Sequence, residues 1–274
     1  MLRLLTVEYY KLKYNKTSRI LIIGYFILLL AIALVTLIEI PIIEVKIAEQ
    51  GIFNFPYIWH GNTWLAALLK FFLAVVIVSM TANEYSNRTL KQNLIDGLSK
   101  KEFILSKFFT IILFSLISTV FIFILSLVLG LIYSDFNEIG IIFSELEFLF
   151  GFFLKLVGFF SFCLFLGLLI KRSAFALGFL LFWWIFEWIV LGLLSWAFDS
   201  KVGWAVWDIL PLGSMWNLIN EPITRLNFVQ TLSGQIDAEI TLNYAVHWYE
   251  VLIVSVWIFI FIYASYALLK KRDL

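Results

Sequence analysis

Six long apolar runs constrain this chain more than any other feature. They occupy, to within a few residues, 20–40, 63–83, 108–133, 148–170, 174–196 and 247–269. Each is close to the roughly 20 residues that a helix needs to cross a bilayer, and none shows the alternating polarity of a membrane β-barrel. Charged residues make up only 14% of the chain, against about 25% in soluble domains. The sequence therefore predicts an all-α membrane protein with six transmembrane helices.

The positions of the basic residues predict how these helices are oriented. Of the 20 lysines and arginines, 15 lie before the first run, between the second and third, between the fourth and fifth, or after the sixth. The connections on the opposite side are rich in Asp and Glu instead. By the positive-inside rule, both termini are predicted to be cytoplasmic. The acidic outer side also argues against nucleic acid as a partner, because like charges repel.

We expect one transmembrane domain over residues 1–274, divided into segments by hydropathy and charge. Its predicted segments are an interfacial helix at 1–19, helices one to five within 20–196 with a polar segment at 84–107, an outer segment at 197–246, and helix six with its tail at 247–274.

The N-terminal 19 residues carry a helical pattern. Leu2, Leu5, Tyr9 and Leu12 recur at helical spacing, with basic residues between them. This pattern predicts an amphipathic helix that lies in the membrane interface. The alternative is a basic segment whose only role is to set the orientation of the first span.

The polar segment 84–107 carries the clearest helix boundaries in the chain. Leu90 and Leu94 share one face of a helix, which Gly97 is suited to end because glycine accepts a left-handed backbone. Ser99 and Glu102 then form a capping box at the start of the third span. We predict a short amphipathic helix over residues 86–97 on the membrane surface, a shape suited to docking onto another protein.

Three ionisable residues fall inside the apolar runs. Lys70, Lys155 and Glu187 are each roughly 10 Å below the outer end of their spans, at 1.5 Å per helical residue. A charge in hydrocarbon is costly unless it is paired or reaches water, so one hypothesis pairs Glu187 with Lys155 or Lys70. In the alternative, both lysines extend to the outer headgroups and Glu187 faces a hydrated crevice.

The outer segments carry several further predictions. The first part of 197–246 is too apolar for a free loop and predicts short helices that lie in or dip into the outer leaflet, with a break at Pro211. The fourth and fifth runs are joined by only Lys171, Arg172 and Ser173, which predicts an antiparallel hairpin. Within it, Ala174 and Gly178 form a small-xxx-small pair that favours close helix approach. His60, with no second His or Cys nearby, is predicted to be an interfacial side chain and not a metal ligand.

The sequence lacks the motifs of the common catalytic sites. It contains neither a GxxxxGK[ST] phosphate loop nor an HExxH zinc motif, and only two His residues and one Cys. We therefore expect no enzymatic activity, no metal site and no cofactor in this chain. Any energy for its work must come from a partner or an ion gradient.

The polar segment resembles a known family. The order Glu84, Arg88-Thr89, Leu94, Gly97 and Ser99, with Lys107 at the head of the next span, is similar to the coupling-helix region of bacterial ABC permeases of the type-two (ABC-2) exporter class. The number and order of the apolar runs extend this resemblance over nearly the whole chain.

The resemblance implies a permease subunit of an exporter in the bacterial cytoplasmic membrane. Its partners would be a separate ATPase subunit, which binds ATP and Mg, and a second permease copy or a homologous permease. The residues implied in coupling are Glu84, Arg88, Thr89, Leu90, Lys91, Leu94 and Gly97. Leu90 and Leu94 would supply the apolar contact with the ATPase, Arg88 and Lys91 its polar rim, and Glu84 the hinge.

A second hypothesis stays open at this point. The chain could be an ATP-independent secondary transporter or a scaffold for a membrane complex. Glu187 favours the ion-coupled form of this hypothesis, because an intramembrane acid is typical of proton and ion pathways. The lack of a repeat between the two halves of the chain argues against it.

Overall fold

The computed structural model describes residues 2–35, 51–87, 89–226, 229 and 244–272. Its α-helices are α1 Leu2–Tyr14, α2 Lys16–Val35, α3 Tyr57–Leu68, α4 Lys70–Ser86, α5 Thr89–Ile95, α6 Lys100–Tyr133, α7 Ile139–Ile142, α8 Glu147–Ile170, α9 Ser173–Ala197, α10 Ser200–Trp207, α11 Pro211–Asn217 and α12 Trp248–Lys271. Within these ranges there is no β-strand, which confirms the all-α class.

Several of these helices have the length and composition of membrane spans. Four segments are long and apolar enough on their own to cross a membrane: α6, α9, α12, and α7 taken together with α8. The bent pair of α3 and α4 makes a fifth if it counts as one span. The chain thus has the apolar helices of a multi-pass membrane protein. The predicted first span, 20–40, coincides with α2 as far as Val35, and 36–40 lie outside the described residues.

The second span, predicted as one helix over 63–83, is bent. The axes of α3 and α4 differ by 44°. At the break, the amide of Leu69 donates to the carbonyl of Ala66 and that of Phe72 donates to Leu69, both at 3.1 Å. Each of these bonds joins an amide to the carbonyl three residues earlier, instead of four as in an α-helix. Such a tightened turn bends the helix. Lys70 is therefore the first residue of α4 and not a residue inside one continuous helix.

Helix α8 is the central element of the bundle. Most of its side chains are buried, and it packs against α3, α4, α6, α9 and α12. A β-carbon at Gly167 would lie 3.2 Å from the carbonyl oxygen of Val78, and one at Gly158 would lie 3.0 Å from the side chain of Met215. The absence of a side chain at these two positions lets α4 and α11 approach α8 closely.

The hairpin of α8 and α9 is confirmed. Lys171 ends α8 in the left-handed conformation, with a φ of 62°, and α9 begins at Ser173. The expected close approach at Ala174 and Gly178 does not occur among the described residues, since both are exposed and none of these residues lies within 4 Å of a β-carbon placed at Gly178. That face of α9 points away from the bundle.

Short helices follow α9, as predicted. Helix α10 folds back onto α9, and α11 begins at Pro211, where the missing amide hydrogen and fixed φ suit the first helical position. Five consecutive residues of α11, 211–215, are buried. This helix lies among α8, α9 and α12 and not on the outer surface.

Both ends of the chain lie at the same end of the bundle. Glu8 of α1 contacts Lys107, near the start of α6. Arg272, just after α12, donates to the carbonyl of Leu168, near the end of α8. We call this the inner end because the basic residues concentrate there; that it faces the cytoplasm remains a prediction.

Candidate functional site

Four charged side chains from three helices meet at the inner end. The ammonium of Lys107 lies 2.6 Å from the Glu8 carboxylate and also contacts Glu84. The ammonium of Lys11 lies 3.1 Å from Glu8 and 3.0 Å from Glu84. We call Glu8, Lys11, Glu84 and Lys107 the inner charge cluster. It ties α1, α4 and α6 together.

The inner charge cluster is buried and balanced. Lys107 is completely buried, and Glu8 and Glu84 are 3% and 6% exposed. Buried charges destabilise a fold unless oppositely charged partners lie beside them. Here two carboxylates face two ammonium groups, and each charge touches both charges of opposite sign.

The two α1 members of the cluster have shifted pKa values. Burial acts to raise the pKa of Glu8, but the charges of Lys107 and Lys11 outweigh it and hold the pKa below its ordinary value. Burial acts to lower the pKa of Lys11, yet Glu8 and Glu84 raise it above its ordinary value. Both side chains therefore remain charged across neutral pH.

Helix α5 is fastened to this cluster. The Asn93 amide donates to the Glu84 carboxylate, and the Thr89 hydroxyl donates to the Glu84 carbonyl, both at 3.4 Å. The side chain of Leu90 is only 1% exposed, and Leu94 packs against the buried core. The short helix is thus held on the last turn of α4 by both polar and apolar contacts.

The turn from α5 to α6 has the predicted chemistry. Gly97 has a φ of 96°, a left-handed conformation that glycine adopts without steric cost. The Ser99 hydroxyl accepts from the Glu102 amide at 3.2 Å, and the Glu102 carboxylate accepts from the Ser99 amide at 2.9 Å. The predicted capping box is confirmed, and it fixes where α6 begins.

The opposite face of α5 points away from the chain. Lys91, Gln92 and Asp96 are exposed, and the Gln92 amide donates to Asp96 at 2.9 Å. Ile95 is 69% exposed among these polar groups. A large apolar side chain in an exposed polar patch is available for contact with another protein.

Two of the residues implied in coupling have contacts that differ from their expected roles. Leu90, expected to contact an ATPase, is turned into this chain, because the bundle itself offers an apolar surface to the leucine face. Glu84, expected to act as a hinge, is near the end of α4 but is held by Lys11 and Lys107. Arg88 lies outside the described residues.

The end of α12 is fixed at the same end of the bundle. The Arg272 guanidinium donates to the carbonyls of Leu168 and Leu169 at 2.6 and 3.2 Å and to the Tyr85 hydroxyl at 3.2 Å. Lys100 in turn donates to the Arg272 carbonyl at 2.9 Å. These bonds join the inner ends of α4, α6, α8 and α12.

Glu187 holds the start of α11. Its carboxylate accepts from the amides of Leu212 and Gly213 at 3.1 and 2.8 Å and from the Trp183 indole at 2.7 Å. A carboxylate is favoured there because the amides at a helix start point outward and carry partial positive charge. Glu187 is fully buried, so it neither forms the predicted ion pair nor faces a hydrated crevice.

Lys155 holds the other end of the same short helix. Its ammonium donates to the carbonyls of Trp216 and Ile219 at 3.1 and 3.5 Å. The side chain is 2% exposed, so it does not extend to the outer headgroups as the alternative supposed. Helix α11 thus has an acid at its positive end and a base at its negative end.

Lys70 occupies a different setting from the other two intramembrane charges. Its ammonium lies 4.6 Å from the centre of the Phe159 ring. No carboxylate lies within ion-pair distance of it in the described part of the chain.

A second polar network lies at the outer end. Arg225 binds the Glu145 carboxylate through both terminal nitrogens, at 2.8 and 3.0 Å, and also reaches Nδ1 of His60 at 3.2 Å. Since arginine can only donate, Nδ1 accepts and Nε2 carries the proton donated to the Asn220 carbonyl at 2.9 Å. His60 stacks on Phe148 and is fully buried, not interfacial as predicted.

Sequence reasoning missed Glu8, although a signal was present. Glu8 lies three residues after Leu5 and four before Leu12, and is therefore on the apolar face of α1. An acid on an apolar face needs a buried partner.

Among the residues that the structure describes, no group of three or more His, Cys, Asp or Glu side chains could hold a metal ion.

Comparison with known proteins places this geometry in a family. A family model described as "Protein of unknown function (DUF2705)" matches residues 54–274. The chain belongs to this family. The DUF2705 match includes α5, α11, Glu84 and Lys107, whereas α1 with Glu8 and Lys11 lies before it. A search of curated proteins gave no match.

Proposed function

We propose that this chain is the membrane-spanning permease subunit of an ATP-driven exporter of the ABC-2 class. In this proposal it lies in the bacterial cytoplasmic membrane and pairs with a second copy or a homologous permease. A separate ATPase subunit, which carries ATP and Mg, docks on α5. ATP hydrolysis in that subunit drives translocation through the paired permeases.

The observation that carries the proposal is the mounting of α5. This short helix follows α4 and precedes α6, and Glu84, Leu90 and Asn93 fasten it to the bundle. A force applied to α5 must therefore move the inner ends of α4 and α6. Through the contact of Lys107 with Glu8, the same force reaches α1.

The division of α5 into two faces supports a docking role. Its buried leucine face belongs to the bundle, and its exposed face presents Lys91, Ile95 and Asp96. Mixed charge around an exposed apolar residue suits a specific protein interface, because the apolar side chain provides affinity and the charges orient the partner. The proposed ATPase contact is therefore at these three residues and not at Leu90.

The chain's own composition is consistent with an external energy source. It has no GxxxxGK[ST] loop, the backbone cradle that P-loop proteins use to hold nucleotide phosphates. Under the positive-inside rule the basic inner end faces the cytoplasm, which would place α5 where a cytoplasmic ATPase could reach it.

The test is co-purification with an ATPase. The chain is co-expressed with its genomic neighbours, purified in mild detergent, and examined by mass and ATPase assay as wild type and as Ile95→Asp. We expect an ATPase subunit to copurify with the wild type and to be lost from Ile95→Asp, because the new charge would be desolvated in the interface.

A matched control comes from the other end of the molecule. Ile139 is 76% exposed, so Ile139→Asp makes the same substitution far from α5 and should retain the ATPase. If the wild type purifies without an ATPase, or if Ile95→Asp binds it as tightly as the wild type does, the proposal fails.

A further inference from the structure

A cavity of about 300 Å³ lies beside the bend between α3 and α4. Aromatic side chains form much of its wall, among them Phe71, Phe159, Trp184, Trp207 and Trp216. Among the described residues that line it, Lys70 is the only charged one. An apolar cavity with a single ionisable group is typical of sites that bind small amphipathic molecules.

Within the described residues, the charge of Lys70 has no hydrogen-bond or ion-pair partner. The residue is 92% buried, being 8% exposed, and its ammonium lies 4.6 Å from the centre of the Phe159 ring. It makes no hydrogen bond or ion pair in the described ranges. Buried ammonium groups are costly without a partner, and this one lines a space large enough to admit an anion.

The surroundings of Lys70 favour an anion further. No carboxylate lines the cavity among the described residues, and the nearby Lys155 binds carbonyls of α11, which carry only partial charge. The wall therefore has an excess of positive charge that a bound anion would neutralise.

The shape of the cavity limits the size of the ligand. Its volume corresponds to about ten water molecules at about 30 Å³ each, enough for one short chain and too little for a two-chain lipid. The rim residues Leu68, Phe71, Leu181 and Trp184 are all at least 39% exposed. The opening therefore lies on the outer surface of the bundle, at the level of the spanning helices.

We infer that this cavity binds a single-chain amphiphile with one anionic headgroup. The apolar chain lies against Phe71, Trp184 and Trp216, and the headgroup forms an ion pair with Lys70. This site does not depend on α5 or on an ATPase, so it stands or falls separately from the proposed function.

The test uses tryptophan fluorescence, because three tryptophans line the cavity. The full chain is placed in phosphatidylcholine nanodiscs and titrated with an eight-carbon carboxylate that carries bromine, a quencher, on its last carbon. The neutral probe is the corresponding amide. We expect saturable quenching by the carboxylate and at least tenfold weaker binding of the amide.

Variants assign the effect to the Lys70 charge. Lys70→Met should weaken carboxylate binding at least tenfold and leave amide binding unchanged. Lys70→Arg keeps the positive charge and should retain carboxylate binding. Lys201→Met removes an exposed lysine of α10 and should change nothing. Leu181→Trp narrows the rim and should weaken both probes alike.

Several results would overturn the inference. Equal binding of carboxylate and amide to the wild type would exclude a headgroup site, even if Lys70→Met fails to fold. Loss of both carboxylate and amide binding in nanodiscs of phosphatidylglycerol would identify a two-chain bilayer lipid as the occupant, because the negative bilayer surface alone would repel only the carboxylate. No saturable quenching, together with a dimer that Leu181→Asp dissociates, would make the groove an interface between two copies.

Discussion

Charge is buried in opposite ways in the inner charge cluster and around α11. In the cluster, Glu84 and Lys107 of neighbouring helices neutralise each other directly. Around α11, Glu187 and Lys155 never meet, and each binds backbone groups at one end of the same short helix. Both arrangements satisfy buried ions, but only the cluster leaves a full opposite charge unpaired when one member is removed.

The two regions therefore respond differently to force. An ion pair between helices resists their separation, so the cluster links the motions of α1, α4 and α6. Glu187 and Lys155 instead fix one short helix, α11, between α8 and α9. If an ATPase exerts a force on α5, the ion pairs of the cluster transmit that force to α1, α4 and α6. Helix α11 instead moves with α8 and α9.

The largest expected effect is that of Lys107→Met. It leaves Glu8 and Glu84 buried with only Lys11 as counter-charge, and breaking a buried pair costs about 3 to 5 kcal/mol. Thermal unfolding of the purified chain in one detergent should show a large fall in Tm. Lys13→Met, an exposed lysine of α1, is the control and should change stability by about 0.5 kcal/mol at most.

A double variant sharpens this result. Adding Glu84→Gln to Lys107→Met removes one of the two stranded carboxylates and should recover part of the lost Tm. If the double variant is less stable than Lys107→Met by the full effect of Glu84→Gln alone, the two residues act independently and the cluster is not a coupled unit.

Glu187→Gln should have a smaller effect than Lys107→Met. The Gln oxygen still accepts from the Gly213 or Leu212 amide, and no opposite buried charge is stranded, so the loss is about 1 to 3 kcal/mol. Glu138→Gln alters an exposed outer glutamate and is the control in the same melt. A fall as large as that of Lys107→Met would mean that α11 depends on the charge of Glu187 and not on hydrogen bonding.

Local features of this fold were predictable from sequence, because their causes lie within a few residues. The capping box of Ser99 and Glu102, the left-handed Gly97, the tight hairpin at Lys171 and the break at Pro211 each follow from backbone chemistry at one position.

Partners across the bundle were not predictable in the same way. The spacing of Leu90 and Leu94 gives a helix face but not whether that face meets the bundle or another protein. Likewise, Glu187 binds backbone amides that arrive 25 and 26 residues later, and backbone groups leave no mark in a side-chain pattern. The bend at Leu69 has no proline or glycine to announce it.

Lys155→Met makes the same substitution as Lys107→Met in the other region. It removes two hydrogen bonds to carbonyls and leaves no opposite charge unpaired. We expect a net loss of about 1 kcal/mol, seen as a small fall in Tm beside the large one of Lys107→Met. Equal losses from the two variants would remove the distinction between ion-paired and backbone-bound lysines.

The smallest and most specific effect is the pH dependence of Glu8→Gln. Because the folded pKa of Glu8 lies below its ordinary value near 4.5, its contribution to stability is present above that pH and is lost as the pH falls through the folded pKa. The raised pKa of Lys11 has the opposite sign, with a contribution present below about 10.5 and lost as the pH rises through the folded value.

The Tm of wild type minus that of Glu8→Gln should therefore be constant through neutral pH and shrink below pH 4.5. The shrinkage has a direct cause: once Glu8 is protonated, the wild type and the variant both present a neutral side chain to Lys107. The two melting temperatures, measured in the same detergent at intervals down to acid pH, check this. A difference that stays constant in acid would mean that Glu8 contributes through packing and not through its charge, and the cluster would then be a steric contact instead of an ionic one.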